Sequence, residues 1–302
     1  VACLFRAFFV GTTQTGVLKY NAVVMVLSNV VLNYVLVFGH LGFPALGIAG
    51  AAIASSIASG ISMLFFIVYT FFKVDYHRFA LHRLPKFKFR LLAKMLNVSL
   101  WMMVQSFLSL ITWFLFFIAI ERLGQRELAV TNVLRTIMSF TFMTLSAFAS
   151  TASTLTSNFL GSGHLTCVRP MVWRVIRMAY FVLIPIWLLI VIFPVEVMSI
   201  FTDEAPIIEA GVAPIRVLAL SYIFEVPAFV FFQAISGTGN TRISFYIEVF
   251  SLVVYCCFIY YAVYLQHCSL SVAWVSEILY ALFLFIPGLL YMRFGRWDRK
   301  EL

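Results

Sequence analysis

Charged residues are scarce in this chain. Aspartate, glutamate, lysine and arginine together make up 11% of it, where a soluble domain averages about 25%. Hydrophobic residues account for 63% and the mean hydropathy is +1.01, which excludes an ordinary water-soluble fold. The ten-residue alternation of a transmembrane β-barrel is missing too. No histidine falls inside an apolar run: His40 and His267 lie in loops on one side, His77, His82 and His164 in loops on the other. A histidine proton relay is therefore excluded. The five cysteines (Cys3, Cys167, Cys256, Cys257 and Cys268) show neither metal nor redox spacing and read as small packing groups. Phosphate-binding, zinc-ligand and Gly-x-Ser-x-Gly patterns are absent, as is a nucleotide domain that could drive an ATP-dependent pump. No cofactor is expected.

What is present is a succession of eight apolar runs, at about 20–39, 46–72, 97–120, 128–157, 178–201, 212–235, 243–265 and 270–292. Each reaches the roughly 20 residues that a helix needs to cross a hydrocarbon core about 30 Å thick. The fold class is an all-α polytopic membrane protein. The net charge of +9 could suggest nucleic acid, but its distribution argues against that partner. Cations gather between alternate pairs of runs: Arg6 and Lys19, then Lys73 to Lys94, then Arg169, Arg174 and Arg177, then Arg242, then Arg293 to Lys300. Loops 40–46 and 266–269 have none, and only Arg122 and Arg126 dilute the pattern. Lysine and arginine stay on the cytoplasmic side of a membrane, so both ends of the chain are expected there. The first ten residues read as the end of a further helix, and the sequence is expected to start part-way through a longer protein.

Three carboxyl groups interrupt the runs: Glu225, Glu248 and Glu277. A charge at the centre of a membrane helix costs about 2.5 to 3.5 kcal/mol on insertion scales, so such groups mark ion or substrate pathways. Glu225 has no lysine, arginine or histidine within eight positions. Pro227, two residues on, cannot donate to the carbonyl of Ile223, so a kinked helix is expected to offer a carboxylate and a free carbonyl together. Glu248 could instead snorkel or pair with Arg242. Glu277 stands beside Trp274, as a gate or substrate contact. Arg135 is the one cation deep in a run, and a salt bridge to one of the glutamates is expected. Asn29 and Asn33, four apart, share a helix face and either bond between helices or line a cavity. Gln105, Ser109, Asn132 and Gln233 are further cavity candidates. Ser55, Ser56, Ser59 and Gly60, with Ser150, Ser153, Ser157 and Gly161, read as close helix contacts.

The chain also echoes itself. Gly11-Thr12-Thr13-Gln14-Thr15 before Tyr20 matches Gly237-Thr238-Gly239-Asn240-Thr241 before Tyr246, each followed by a full span, a short loop and another span. The copies have the same orientation, so they are parallel repeats of the kind that hold substrate between two lobes.

These features together resemble the multidrug and toxic compound extrusion family, in its bacterial branch. The resemblance is carried by Asn33-Tyr34 through Phe38-Gly39, Gly42 to Ala52, Leu123-Gly124 with Ala129 and Asn132, Ala147 through Ser157, Gly161-Ser162-Gly163 and Gln233 to Thr241. It implies two lobes of six helices. Residues 1–72 would end the first lobe, 73–92 form a cytoplasmic inter-lobe loop, 93–292 form the second lobe and 293–302 a cytoplasmic tail. It further implies a monomer in the cytoplasmic membrane of a bacterium. The implied activity is export of amphipathic, cationic compounds by alternating access, coupled to H+ or Na+, and not an enzymatic one. Family members with a carboxylate in the tenth helix place it twelve residues before the helix-ending glycine, where Glu225 stands relative to Gly237. Their acid in the seventh helix has no counterpart here, since Gln105 and Ser109 occupy that stretch. The alternatives are a lipid-linked oligosaccharide flippase, which would need a large cationic cavity, and an intramembrane enzyme, which would need paired aspartates, a serine nucleophile or a histidine cluster.

Overall fold

The computed structural model describes residues 2–40, 42–74 and 88–295. Most of the inter-lobe loop expected at 73–92, with its basic residues Arg78, Arg83 and Lys86, lies outside the described residues, and so do 296–302 of the expected tail. Two compact units are present, Val1–Phe87 and Lys88–Leu302. Both are built from α-helices, and no strand occurs among the described residues.

The first unit holds α1 (Ala2–Gly11), α2 (Gly16–Leu36) and α3 (Gly47–Lys73). Phenylalanines fix it: Phe66 stacks on Phe5 and Phe9 with ring centroids 5.9 and 5.7 Å away. Between α2 and α3 the buried Asn21 amide donates to Ser62 Oγ at 2.9 Å. Lipid offers no hydrophobic drive between apolar helices, so such polar contacts and close packing hold them together.

The second unit holds α4 (Phe89–Glu121), α5 (Gln125–Gly161), α6 (Val168–Ile192), α7 (Pro194–Ser199), α8 (Ala205–Gly237), α9 (Thr241–Ile259), α10 (Leu270–Ala273) and α11 (Val275–Phe294). A 3-10 turn at Leu165–Cys167 leads into α6, and a π-helical turn at Tyr260–Leu265 continues α9. Helix α8 is the axis of the unit, packing on α5, α6, α7, α9, α10 and α11. Two-thirds of its apolar stretch is buried, against 39% or less for every other span. A helix apolar on all sides takes such a position because it has no polar face to give to water.

Among the described residues eight helical spans are long and apolar enough to cross a membrane, as the sequence predicts. One of them is displaced. The span expected at 178–201 runs from Leu165 to Ile192, because Phe193 leaves the helical conformation and Pro194 starts a new short helix. Arg169, Arg174 and Arg177 therefore lie on α6 rather than in a loop ahead of it. Arg169 donates to the carbonyls of Met292 and Arg293 at 2.9 and 2.8 Å, closing the C-terminal turn of α11 with a cation. Helix α4 begins at Phe89, so 89–92 is helical and not loop.

The small residues do what their size suggests at one crossing in particular. Ser157 Oγ donates to the Gly237 carbonyl at 2.6 Å, and a Cβ on Gly237 would run into the Ser153 backbone. Gly237→Ala is therefore expected to force α5 and α8 apart at a cost of about 1–3 kcal/mol, read as a lower melting temperature in detergent. Gly161→Ala has open space around its Cβ and is expected to leave that temperature nearly unchanged.

Candidate functional site

A buried carboxyl group needs hydrogen-bond partners and something to neutralise its charge. Glu225 on α8, Glu248 on α9 and Glu277 on α11 are only 4%, 3% and 7% exposed. Their three helices pack on one another pairwise, which brings the glutamates into one region of the second unit. Among the described residues no ion pair reaches any of the three. Their partners are hydroxyl groups. Ser221 lies one helical turn before Glu225 and its Oγ is 2.6 Å from Oε1. Tyr255 on α9 donates to Glu277 Oε1 at 3.1 Å. Glu248 Oε1 receives Ser109 Oγ of α4 at 2.7 Å and Tyr280 Oη of α11 at 2.9 Å, while its Oε2 is buried with no hydrogen-bond partner. The rings of Tyr255 and Tyr280 meet edge to face at 6.1 Å and join the two arrangements. Glu225 and Glu277 stand on α8 and α11, which pack directly on one another, and Tyr280 of α11 reaches across to Glu248.

Spacing along each helix explains why these groups meet. Ser221 and Glu225 are four apart, and Glu277 and Tyr280 are three apart, so each pair shares a face. Glu248 and Tyr255 are seven apart, two turns along one stripe of α9.

The serines also reveal something about protons. A hydroxyl carries one hydrogen, yet Ser221 Oγ lies within reach of both Glu225 Oε1 and the Leu218 carbonyl, the latter at 2.8 Å. Ser109 Oγ likewise lies 2.7 Å from Glu248 Oε1 and 3.1 Å from the Gln105 carbonyl. Each hydroxyl proton thus has two acceptors within reach, a glutamate oxygen and a backbone carbonyl.

Several expectations are corrected. Pro227 does free the carbonyl of Ile223, but Tyr180 Oη of α6 donates to it at 2.5 Å, so it is not available to an ion. Arg135 makes no ion pair with a glutamate; its exposed side chain lies over Phe117, 5.3 Å from the ring centroid. Arg242 does not pair with Glu248 either, and rests 5.5 Å from the ring of Trp101. Asn33 Nδ2 donates to Asn29 Oδ1 at 2.9 Å and Asn29 Nδ2 to Ser55 Oγ at 3.3 Å, which is the interhelical reading. Exposed Asn132 donates back to the Leu128 carbonyl at 3.1 Å. Gln105 enters only through its backbone carbonyl, and Gln233 is half-buried with no hydrogen bond to the cluster. Of the sequence candidates, then, Glu225, Glu248, Glu277 and Ser109 come together. Ser221, Tyr180, Tyr255 and Tyr280 were not among them, although the four-residue step to Glu225 and the three-residue step from Glu277 were visible.

Next to Tyr255 lies a cavity of about 340 Å³, lined by Thr112, Phe116, Cys256, Tyr260 and Tyr264 among others, between α4 and the π-helical end of α9. Its walls are aromatic and apolar. Tyr255 belongs to both this cavity and the Glu277 hydrogen bond.

Comparison with known proteins gives a consistent family. The MatE family model matches residues 98–261. A probable multidrug resistance protein NorM of Photorhabdus laumondii is 24% identical over 258 residues, 82% of this chain and 54% of that protein. The corresponding NorM of Thermotoga maritima is 23% identical over 275 residues, 90% of this chain and 58% of that one. The chain thus spans little more than half the length of these relatives. A MATE transporter structure from Vibrio cholerae superposes with a TM-score of 0.82 at 14% identity, covering 99% of this chain and 67% of that one. A MOP superfamily transporter from Pyrococcus furiosus superposes with a TM-score of 0.79 at 19% identity, covering 91% and 61%. These likenesses establish the fold.

The cluster predicts measurable coupling between its members. Tyr255→Phe leaves Glu277 without its donor and is expected to cost about 1–3 kcal/mol of stability. The double variant Tyr255→Phe, Glu277→Gln should fall short of the sum of the single losses by about 0.5 kcal/mol or more in a melting series. Strict additivity would mean that the bond contributes nothing.

Proposed function

The chain belongs to the MatE family, whose model spans more than half of it, and from that premise we propose that it is an ion-coupled exporter of amphipathic cations. It works by alternating access, as a monomer in the cytoplasmic membrane of a bacterium with both ends in the cytoplasm. Residues 1–72 belong to one lobe and 93–292 to the other. Relatives named as multidrug resistance proteins support the substrate class.

The observation that carries the reading is the Glu225–Glu277 pair. Two carboxyl groups, each buried and carried on helices that pack on one another, have only hydroxyl partners and, among the described residues, no cation to balance them. Two like charges at such a site cannot both persist unpaired in a low dielectric. They need a proton or a positively charged guest. If both compete for the same carboxyl groups, binding one expels the other, which is the thermodynamic core of an exchanger. Entry of a proton from outside releases the cationic substrate outward; loss of that proton to the cytoplasm restores the binding form.

We take the proton rather than sodium as the coupling ion, because each serine hydroxyl beside Glu225 and Glu248 has a second acceptor in a backbone carbonyl and can donate there once the carboxyl group carries a proton. For the substrate, the aromatic cavity beside Tyr255 offers ring faces that attract organic cations. A flippase for a pyrophosphate-linked sugar is disfavoured, because the described cluster is acidic and Arg135 stands outside it. An enzymatic role is disfavoured by relatives named as transport and resistance proteins.

Glu225→Gln is expected to reduce ethidium efflux from drug-sensitive cells by about a hundredfold or more, with expression unchanged. Collapsing the proton gradient alone should stop efflux by the unaltered chain, and collapsing the sodium gradient alone should not. Efflux by Glu225→Gln at the normal rate would make Glu225 a structural residue, and sensitivity to sodium alone would replace the proton as coupling ion.

A further inference from the structure

Glu248 has no task in the exchange just described, yet it is as deeply buried as the pair, and its Oε2 has no partner among the described residues. Its position along the bundle differs from theirs. It lies seven residues into α9 from Thr241, about 10 Å of helical rise. Glu225 lies twelve residues before Gly237 at the same end of the unit, about 18 Å. Glu277 lies seventeen residues before Phe294, about 25 Å. The three carboxyl groups thus form a descending series towards the end that the distribution of lysine and arginine assigns to the cytoplasm.

Tyr280 bridges the series. It stands three residues after Glu277 on the same face of α11 and its hydroxyl donates to Glu248 at 2.9 Å. Its ring lies 6.1 Å from that of Tyr255, which holds Glu277. Other groups that could set the charge of Glu248 are few. Helix α4 presents the Ser109 hydroxyl and α11 the Tyr280 hydroxyl, with Glu277 one turn before Tyr280 on α11 and Glu225 on the neighbouring α8. On α9 itself, Tyr255 is engaged with Glu277 and Arg242 lies against Trp101.

We propose that Glu248 is the exit station from which the proton taken up at Glu225 and Glu277 leaves for the cytoplasm, with Tyr280 as the hydroxyl that hands it on. This rests on the proton-coupled reading above. In the step, the O–H proton of Tyr280 moves to the Glu248 carboxylate, and the phenolic oxygen takes the proton of the Glu277 carboxylic acid through a water, because Glu277 itself bonds Tyr255 and not Tyr280. Tyr280 ends as it began, Glu277 becomes a carboxylate, and Glu248 a carboxylic acid. Glu248 then gives its proton to water arriving from the cytoplasmic end. Nothing is oxidised or reduced, and water is the only further reactant. A glutamate that merely braced α4, α9 and α11 would need the hydrogen bonds but not the exchangeable proton.

The test separates binding from turnover, using ethidium and the chain reconstituted in liposomes. Glu248→Gln should bind ethidium with a Kd within about twofold of the unaltered chain, while transport driven by a pH gradient falls by at least about tenfold. Glu248→Asp, which keeps a carboxyl group, should recover most of that transport. Tyr280→Phe keeps the ring and loses only the hydroxyl; it should also slow transport without weakening binding. Normal transport by Glu248→Gln overturns the exit role and leaves the exchange at Glu225 standing. Loss of ethidium binding in both Glu248→Gln and Tyr280→Phe overturns it too, because Glu248 would then be a substrate contact or a brace. Normal transport by Glu225→Gln, in contrast, removes the underlying reading.

Discussion

A carboxyl group placed among apolar helices must be neutralised, and the second unit is organised around three groups for which the described residues supply no cation. Partners had to be found among hydroxyls instead, and those come from four helices: Ser109 on α4, Ser221 on α8, Tyr255 on α9 and Tyr280 on α11. Hydroxyls satisfy the hydrogen bonding of a carboxyl group without cancelling its charge. On the proposed reading the charge is left to an exchangeable species, which would turn an expensive burial into a binding site. A lysine or arginine in the same place would have given a permanent salt bridge and no reason to exchange anything.

Such a site also demands that α8 be held steadily while it carries two internal prolines. Pro227 removes one backbone hydrogen bond directly beside Glu225, and Tyr180 of α6 takes up the orphaned carbonyl. At the far end the Gly237 backbone is pressed against Ser153 and held by Ser157. Trp187 of α6 stacks on Tyr222, one residue from Ser221, with centroids 5.2 Å apart. Helix α8 is thus fixed on both sides of its glutamate.

Much of this was legible in the sequence, and the parts that were not have physical reasons. Span number and the burial of the three glutamates followed from length and from their place in apolar runs, both local properties. The fifth span was shifted because an apolar run does not show where Phe193 breaks and Pro194 restarts the helix. Arg135 was assigned to a glutamate from its depth alone, but depth says nothing about which way a helix face turns. Convergence of Glu225, Glu248 and Glu277 likewise depends on how α8, α9 and α11 are rotated about their axes, which three unrelated stretches of sequence do not reveal. The hydroxyl partners were half visible: Ser221 and Tyr280 sit at helical spacing from glutamates, whereas Ser109 and Tyr255 reach theirs from other helices.

The central claim is that a proton on these carboxyl groups is exchanged for a cationic guest. Infrared difference spectroscopy on the reconstituted chain measures this directly, through the C=O stretch of protonated carboxylic acids before and after ethidium is added. The account predicts that this band loses intensity on ethidium binding, and that the loss shrinks in Glu225→Gln. Ethidium binding with no change in the protonated carboxyl band would contradict it.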